Sequence, residues 1–109
     1  MILGDGSTIP TRCVVWGGGI MAPRVAGADA LPHGHGGRIE VGPDLTVDGA
    51  EGVYAVGDVA NIPGPDGRVP PQLGSVALQS GVWAAKNVVA GLDGRPRRPS
   101  ATATRASCR

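Results

Sequence analysis

The sequence predicts an α/β fold of short strands, one main helix and an incomplete sheet, and three observations carry that prediction. Val53-Tyr54-Ala55-Val56 is an uncharged run rich in β-branched and aromatic residues, which reads as a short buried strand, parallel and covered on both faces. Gly57 breaks it, and Asp58 sets a carboxylate just past its carboxyl end, where open α/β sheets bind ligands. After a Gly/Pro-rich loop, Ser75 to Ala90 reads as a helix whose N-terminus faces the same crevice. A strand-end carboxylate accepts hydrogen bonds from hydroxyls, and a helix N-terminus favours an anion.

The totals limit what such a fold can be. A chain of 109 residues is one domain at most. Nineteen Gly and ten Pro exceed a quarter of it, Phe is absent, and Trp and Tyr number two and one. Much of the apolar share is Ala and Val, which predicts a thin core with faces left uncovered. A net charge of +1 gives no reason to expect a nucleic-acid partner. No apolar run approaches the roughly 20 residues of a membrane-spanning helix, and Met1 to Asp5 lacks the regions of a signal peptide. Cys13 and Cys108 form no C-x-x-C pair and read as unpaired thiols of a reducing, cytoplasmic compartment.

Taken in order, Asp5-Gly6 is a hairpin dipeptide between a short apolar start and the expected strand Cys13-Val14-Val15-Trp16. Gly17-Gly18-Gly19-Ile20-Met21-Ala22 matches the letters of a dinucleotide fingerprint, with Glu40 at about the ribose-acid distance. The fingerprint needs a helix next, however, and Pro23, Gly27, Pro32, Gly34, Gly36 and Gly37 deny one. A backbone-approach loop is the better reading. His33-Gly34-His35 lacks metal-ligand spacing, so no metal site is expected. Arg38 to Val41 alternates as a half-exposed strand, and Leu45-Thr46-Val47 returns onto it after the Gly42-Pro43-Asp44 turn. Asp48-Gly49 then turns the chain into Val53–Val56.

Asn61 to Pro71 is loop, with Pro71 suited to a helix entry. Leu73, Val76, Ala77, Ala84 and Val88 make a modest apolar face, and Gly91 is the natural stop. From Arg95 to Arg109 periodicity ends, which predicts a disordered tail.

Asp58 has two readings from composition and spacing. It is either a turn former bonding its own backbone or an acceptor for sugar or ribityl hydroxyls. Thr46 to Ala60, ending in Tyr54-Ala55-Val56-Gly57-Asp58, resembles the second flavin motif of the flavoproteins with two dinucleotide-binding domains. Two more stretches are similar to type II NADH dehydrogenases in particular. Asp5-Gly6-Ser7-Thr8-Ile9-Pro10 with Val14-Val15-Trp16-Gly17-Gly18-Gly19 resembles that family's D-G-x-x-I-P…V-V-W-A-A-G. Pro71 to Gly81 resembles its P-x-x-A-Q-x-A-x-Q-x-G helix start, with Gly74-Ser75 in place of Ala-Gln.

The resemblance covers roughly residues 1–96 and implies the C-terminal portion of a Rossmann-like FAD-binding domain. Residues 1–94 would be that partial FAD/NAD(P)-binding domain, and 95–109 the tail. Gly57 and Asp58 would hold the flavin ribityl chain, with Val76 and Ala77 offering backbone N–H groups to its pyrimidine end. Gln79 would lie on the quinone side. The implied chemistry is hydride transfer from NADH to FAD, then electrons to quinone, with no catalytic acid, base or nucleophile supplied here. Both pyrophosphate-binding glycine fingerprints and the family's membrane-seating helices are missing from the sequence, so the chain is expected to be one part of an enzyme and inactive alone. Membrane association is expected only of the complete protein. The alternative is a truncated or mispredicted product without independent function. The family continues with a Pro-Phe-x-Tyr-x-x-x-Gly-like stretch. Regrouping the codons of Pro99 to Ser107 by one base permits Phe, Tyr and Gly at that spacing, so a shifted reading frame is compatible with the tail.

Overall fold

A computed structural model describes residues 1–64 and 67–102. The chain starts with the hairpin that Asp5-Gly6 dictates. Gly6 takes φ +84°, a left-handed turn setting. Leu3 N–H donates to Ser7 O at 2.8 Å, and Ile2 bridges Thr8 antiparallel. Asp5 Oδ1 accepts from the Ser7 hydroxyl at 2.7 Å and the Ser7 N–H at 2.9 Å. Those bonds, the hydroxyl's first, hold the Asp5 carboxyl below its usual range.

The strand expected at Cys13–Trp16 does not form. Val15 is 90% and Trp16 85% exposed, and neither pairs with another segment among the described residues. β-Propensity creates a strand only where a neighbour accepts its backbone groups. The radius of gyration is 17.8 Å, against about 13 Å for a compact domain of this length.

The sheet is two-stranded and parallel: β1 (Ile39–Glu40) lies beside β2 (Ala60–Asn61), with Ile39 opposite Ala60 and Glu40 opposite Asn61. Asn61 Nδ2 donates to Glu40 Oε1 at 2.8 Å, clipping the strands through side chains. The buried parallel strand expected at Val53–Val56 is corrected. Tyr54 makes one antiparallel bridge with Thr46, and Val47 N–H donates to Val53 O at 3.0 Å. Turns at Asp48-Gly49 and Glu51-Gly52 fold residues 45–47 back onto 53–55, which commits that edge to antiparallel pairing. Parallel pairing therefore falls after Asp58, at β2. The return of Val47 onto Val41 is as the sequence indicates.

Leu45 sits at the turn of that return with φ +71°, a setting usual for glycine, and it is fully buried. Around it gather Ile39, Val41, Val47, Ala55, Ala60, Ile62, Ala28 and Ala84, with Leu31, Tyr54, Val56 and Trp83 at the margin. The core is thin because its members are small.

The helix α1 runs Gly74–Leu92. Its buried line is Val76, Ser80, Ala84, Asn87 and Ala90, one stripe at helical spacing that includes two polar residues. Leu73 and Val88, expected on the core face, are exposed. The stop also falls later than Gly91. Gly94 takes φ +68°, its N–H donates to Gly91 O at 3.2 Å, and Arg95 N–H donates to Ala90 O at 2.8 Å, a Schellman closure. Among the described residues no helix is long and apolar enough to cross a membrane.

The tail departs from its expected disorder where it is described. Residues 95–102 run back along α1, fastened by Asn87, which accepts Arg98 N–H at 3.0 Å and donates to Arg98 O and Asp44 O at 2.9 Å each. Ser100 N–H donates to Pro43 O at 2.7 Å, and Thr102 is buried. A buried side-chain amide on the helix supplies the anchor that the composition of the tail does not reveal. The remainder of the expected tail, residues 103–109, lies outside the described residues.

Candidate functional site

The segment that follows Tyr54 leads into a 3-10 turn, Gly57–Val59, before β2. Gly57 takes φ +69°, and a Cβ placed there would stand 3.4 Å from the Ala77 Cβ, so glycine lets the turn rest on α1. Asp58 occupies the middle of the turn, exposed to solvent. Gln72 Nε2 donates to the Asp58 backbone carbonyl at 3.0 Å, fastening the turn from the side of the helix entry. From the helix, the fully buried Ser80 accepts Gly57 N–H at 3.0 Å and donates to Ala77 O at 2.9 Å. Gly57, Asp58, Gln72 and Val76 border one small cleft together with Pro71, of about 10 Å³.

At the start of α1, Leu73 is the N-cap and offers no side-chain acceptor. Its carbonyl accepts both Val76 N–H at 2.9 Å and Ala77 N–H at 3.0 Å. The two N–H groups singled out from the sequence are therefore engaged within the helix. The donors left without an acceptor among the described residues belong to Gly74 and Ser75, the positions before them. Gly74 presents open space where a side chain would stand. Gln79 folds back on its own helix, with Nε2 donating to Ser75 O at 3.0 Å.

The structure thus brings Gly57, Asp58, Val76 and Ala77 into one neighbourhood, and it places Gln79 less than a turn further along α1. Ser80 and Gln72, which hold that neighbourhood together, were not singled out from the sequence. A serine on the buried line of α1 is the signal that points to Ser80. His33 and His35 stay apart from the site: His33 Nδ1 lies 2.7 Å from Leu31 O, while His35 opens a separate 3-10 turn. Among the described residues no three His, Cys, Asp or Glu side chains gather in a metal-holding group.

An exposed carboxylate, a glycine that removes side-chain bulk and a helix end with unengaged N–H groups suit a ligand carrying both hydroxyls and an electron-rich polar edge. Known proteins agree with a redox setting. The chain is 32% identical over 91 residues to demethylphylloquinone reductase NdbB of Synechocystis, covering 84% of this chain and 22% of that protein. It is 33% identical over 89 residues to the type II NADH:quinone oxidoreductase of Staphylococcus saprophyticus, covering 81% and 22%. With the type II NADH:quinone oxidoreductase Ndh of Mycobacterium tuberculosis the identity is 31% over 90 residues, covering 79% and 18%. The chain therefore spans about a fifth of the length of these relatives. Residues 1–81 match the family of pyridine nucleotide-disulphide oxidoreductases, a stretch that takes in the hairpin, the Gly57–Asp58 turn and the start of α1, and the chain belongs to that family.

Proposed function

We propose that this chain forms the ribityl and isoalloxazine side of an FAD site in an enzyme that oxidises NADH and reduces a quinone. The observation that carries the reading is the Gly57–Asp58 turn, hydrogen-bonded to Ser80 beside a helix start whose Gly74 and Ser75 N–H groups have no acceptor among the described residues. FAD, when bound, supplies the acceptance of a hydride from NADH and its onward delivery as electrons to quinone.

The residues of the chain bind and orient. The Asp58 carboxylate accepts hydrogen bonds from ribityl hydroxyls. Gly74 and Ser75 donate toward the pyrimidine edge, where the helix dipole stabilises negative charge. Val76 and Ala77 contribute by closing the first turn on Leu73 O, which aligns those donors. Gly57 keeps the turn close to Ala77, and Gln79 stands toward the acceptor side. Gly74-Ser75 replaces the family's Ala-Gln and removes one side-chain amide from that side. The pyrophosphate cradle and the nicotinamide pocket come from further polypeptide in this reading, and so does any seating on a membrane.

A second reading, a product without independent function, is favoured by the bare apolar residues Val15 and Trp16. The two readings separate in a graft. Residues 1–96 replace the corresponding stretch of the Staphylococcus saprophyticus relative, and flavin absorbance is measured after gel filtration. The flavin reading expects a yellow protein that Asp58→Ala bleaches. Undiminished flavin in Asp58→Ala rejects the assignment of Asp58, and a colourless but folded graft favours the second reading.

A further inference from the structure

Ser80 joins the two halves of the proposed site. Its side chain is 0% exposed, and its hydroxyl is engaged as donor and acceptor at once. The donated bond, to Ala77 O at 2.9 Å, stays within α1 and fixes the direction of the hydroxyl. That leaves a lone pair directed at Gly57, 23 positions away in sequence, whose N–H reaches it at 3.0 Å. The Gly57 N–H is partly shielded from water, so losing its acceptor has a cost and the turn favours one setting against the helix. Glycine at position 57 suits that setting, because φ +69° is a left-handed conformation that residues with a side chain rarely adopt.

We infer that Ser80 is a positioning residue whose hydroxyl sets the Gly57–Asp58 turn against the start of α1, and so sets where Asp58 stands relative to the N–H groups of Gly74 and Ser75. The inference deepens the flavin reading and rests on it for the purpose of the turn, while the placement of the turn is testable without flavin. Serine suits the position because it is small enough for a fully buried line and still carries both a donor and an acceptor. Alanine keeps the packing and abandons the Gly57 N–H.

The test uses the full chain, labelled with nitrogen-15, in four forms: wild type, Ser80→Ala, Ser80→Thr and Ser80→Val. Threonine retains the hydroxyl, and valine has the same shape without it. Gly57 amide exchange is expected to quicken at least tenfold in Ser80→Ala and Ser80→Val, and to return within about threefold of wild type in Ser80→Thr. The Ala84 amide, further along α1, is the control and should keep its rate. FMN, which carries the ribityl chain, is then added as a probe. Wild type and Ser80→Thr should show resonance shifts at Asp58, Gly74 and Ser75 together. Ser80→Ala and Ser80→Val should lose the Asp58 response and keep the other two. Equal Gly57 exchange in wild type and Ser80→Ala overturns the inference, and that pair decides alone if the added methyl groups of threonine and valine prevent folding. Gly57 exchange that depends on the hydroxyl, with no FMN response in wild type, overturns the flavin-positioning part of the inference and leaves Ser80 as a fold contact only, while the graft decides the flavin reading.

Discussion

Asn87→Ala should release the C-terminal segment 95–102 from α1. Asn87 is 2% exposed, and its carboxamide spends itself entirely on backbone groups of other segments. Truncation strips partners from Asp44 O, Arg98 O and Arg98 N–H at one stroke. Only the two Arg98 bonds join the segment to α1, and at about 0.5–1.5 kcal/mol net for each the closed arrangement loses roughly 1–3 kcal/mol. Water reaching the vacated groups in the open state favours the lower half of that range. The open population then rises by roughly 5- to 30-fold, since about 1.4 kcal/mol corresponds to a factor of ten. The Arg97–Asp44 approach of 4.0 Å does not offset this, because both side chains are partly exposed and such pairs contribute little.

Trypsin reads the opening directly. Arg95 and Arg98 are each followed by proline and resist cleavage, so the Arg97–Arg98 bond reports on the segment. Its cleavage rate, followed by mass spectrometry at limiting protease, should rise about in proportion to the open population. Asn87→Asp provides the second arm. It keeps an acceptor for Arg98 N–H but turns an oxygen toward two carbonyls, so it should open at least as readily as the alanine variant. Cleavage of Asn87→Ala within twofold of wild type, with helical circular dichroism unchanged, would refute the reasoning.

Two further outcomes follow from local geometry. Leu45→Ala should cost roughly 2–5 kcal/mol in denaturant unfolding, as for other buried leucines. Leu45→Gly should cost no more than alanine, the reverse of the usual order, because φ +71° penalises any side chain at that position; a clearly worse glycine variant argues against the left-handed setting. The Asp5–Ser7 bonds should be pH-sensitive. The folded pKa is lowered, so their contribution is fully present above the ordinary carboxylate value and is lost as pH falls through the lowered one. Ser7 amide exchange, corrected for its intrinsic pH dependence, should lose protection on acidification in wild type and show no such transition in Asp5→Asn.

The parts of the fold legible in the sequence are those written in adjacent residues. Asp5-Gly6 gives its hairpin, Gly42-Pro43-Asp44 returns Val47 onto Val41, and the run after Leu73 gives α1. The parallel strand expected at Val53–Val56 falls instead at Ala60-Asn61, although Val53–Val56 carries strand propensity and Ala60-Asn61 little. The antiparallel return of residues 45–47 claims the former, and β1 takes the latter. For the site, Gly57 and Asp58 were legible as a turn, whereas the sequence did not show that the Val76 and Ala77 N–H groups close on Leu73 O. That first turn closes on one carbonyl, which no side chain encodes. Ser80 and Asn87 escaped for a related reason: an apolar periodicity search passes over polar residues on the buried line, and here those residues make the long-range connections.

The exposed apolar residues near the N-terminus lead to the last prediction, that the chain self-associates. Val15 and Trp16 present nearly all of their surface to water, and Ile20 and Met21 are also exposed. Their backbone lacks ladder partners among the described residues, so the region offers apolar side chains and unpaired N–H and C=O groups together. Covering one such large side chain in a contact gains roughly 1.5–3 kcal/mol. Two or three from each of two copies gain roughly 6–18 kcal/mol together, against an association cost of roughly 4–15 kcal/mol, so weak, concentration-dependent assembly is expected. Sedimentation velocity over a dilution series should therefore show a concentration-dependent shift to larger species, together with a broad thermal transition. Val15→Asp combined with Trp16→Glu should move the onset to higher concentration by tenfold or more without altering the Gly57 and Ser100 amides, which lie in the packed part of the chain. A wild-type monomer at high concentration with a sharp, reversible thermal transition rejects this account, because it requires those side chains to be covered within a single copy.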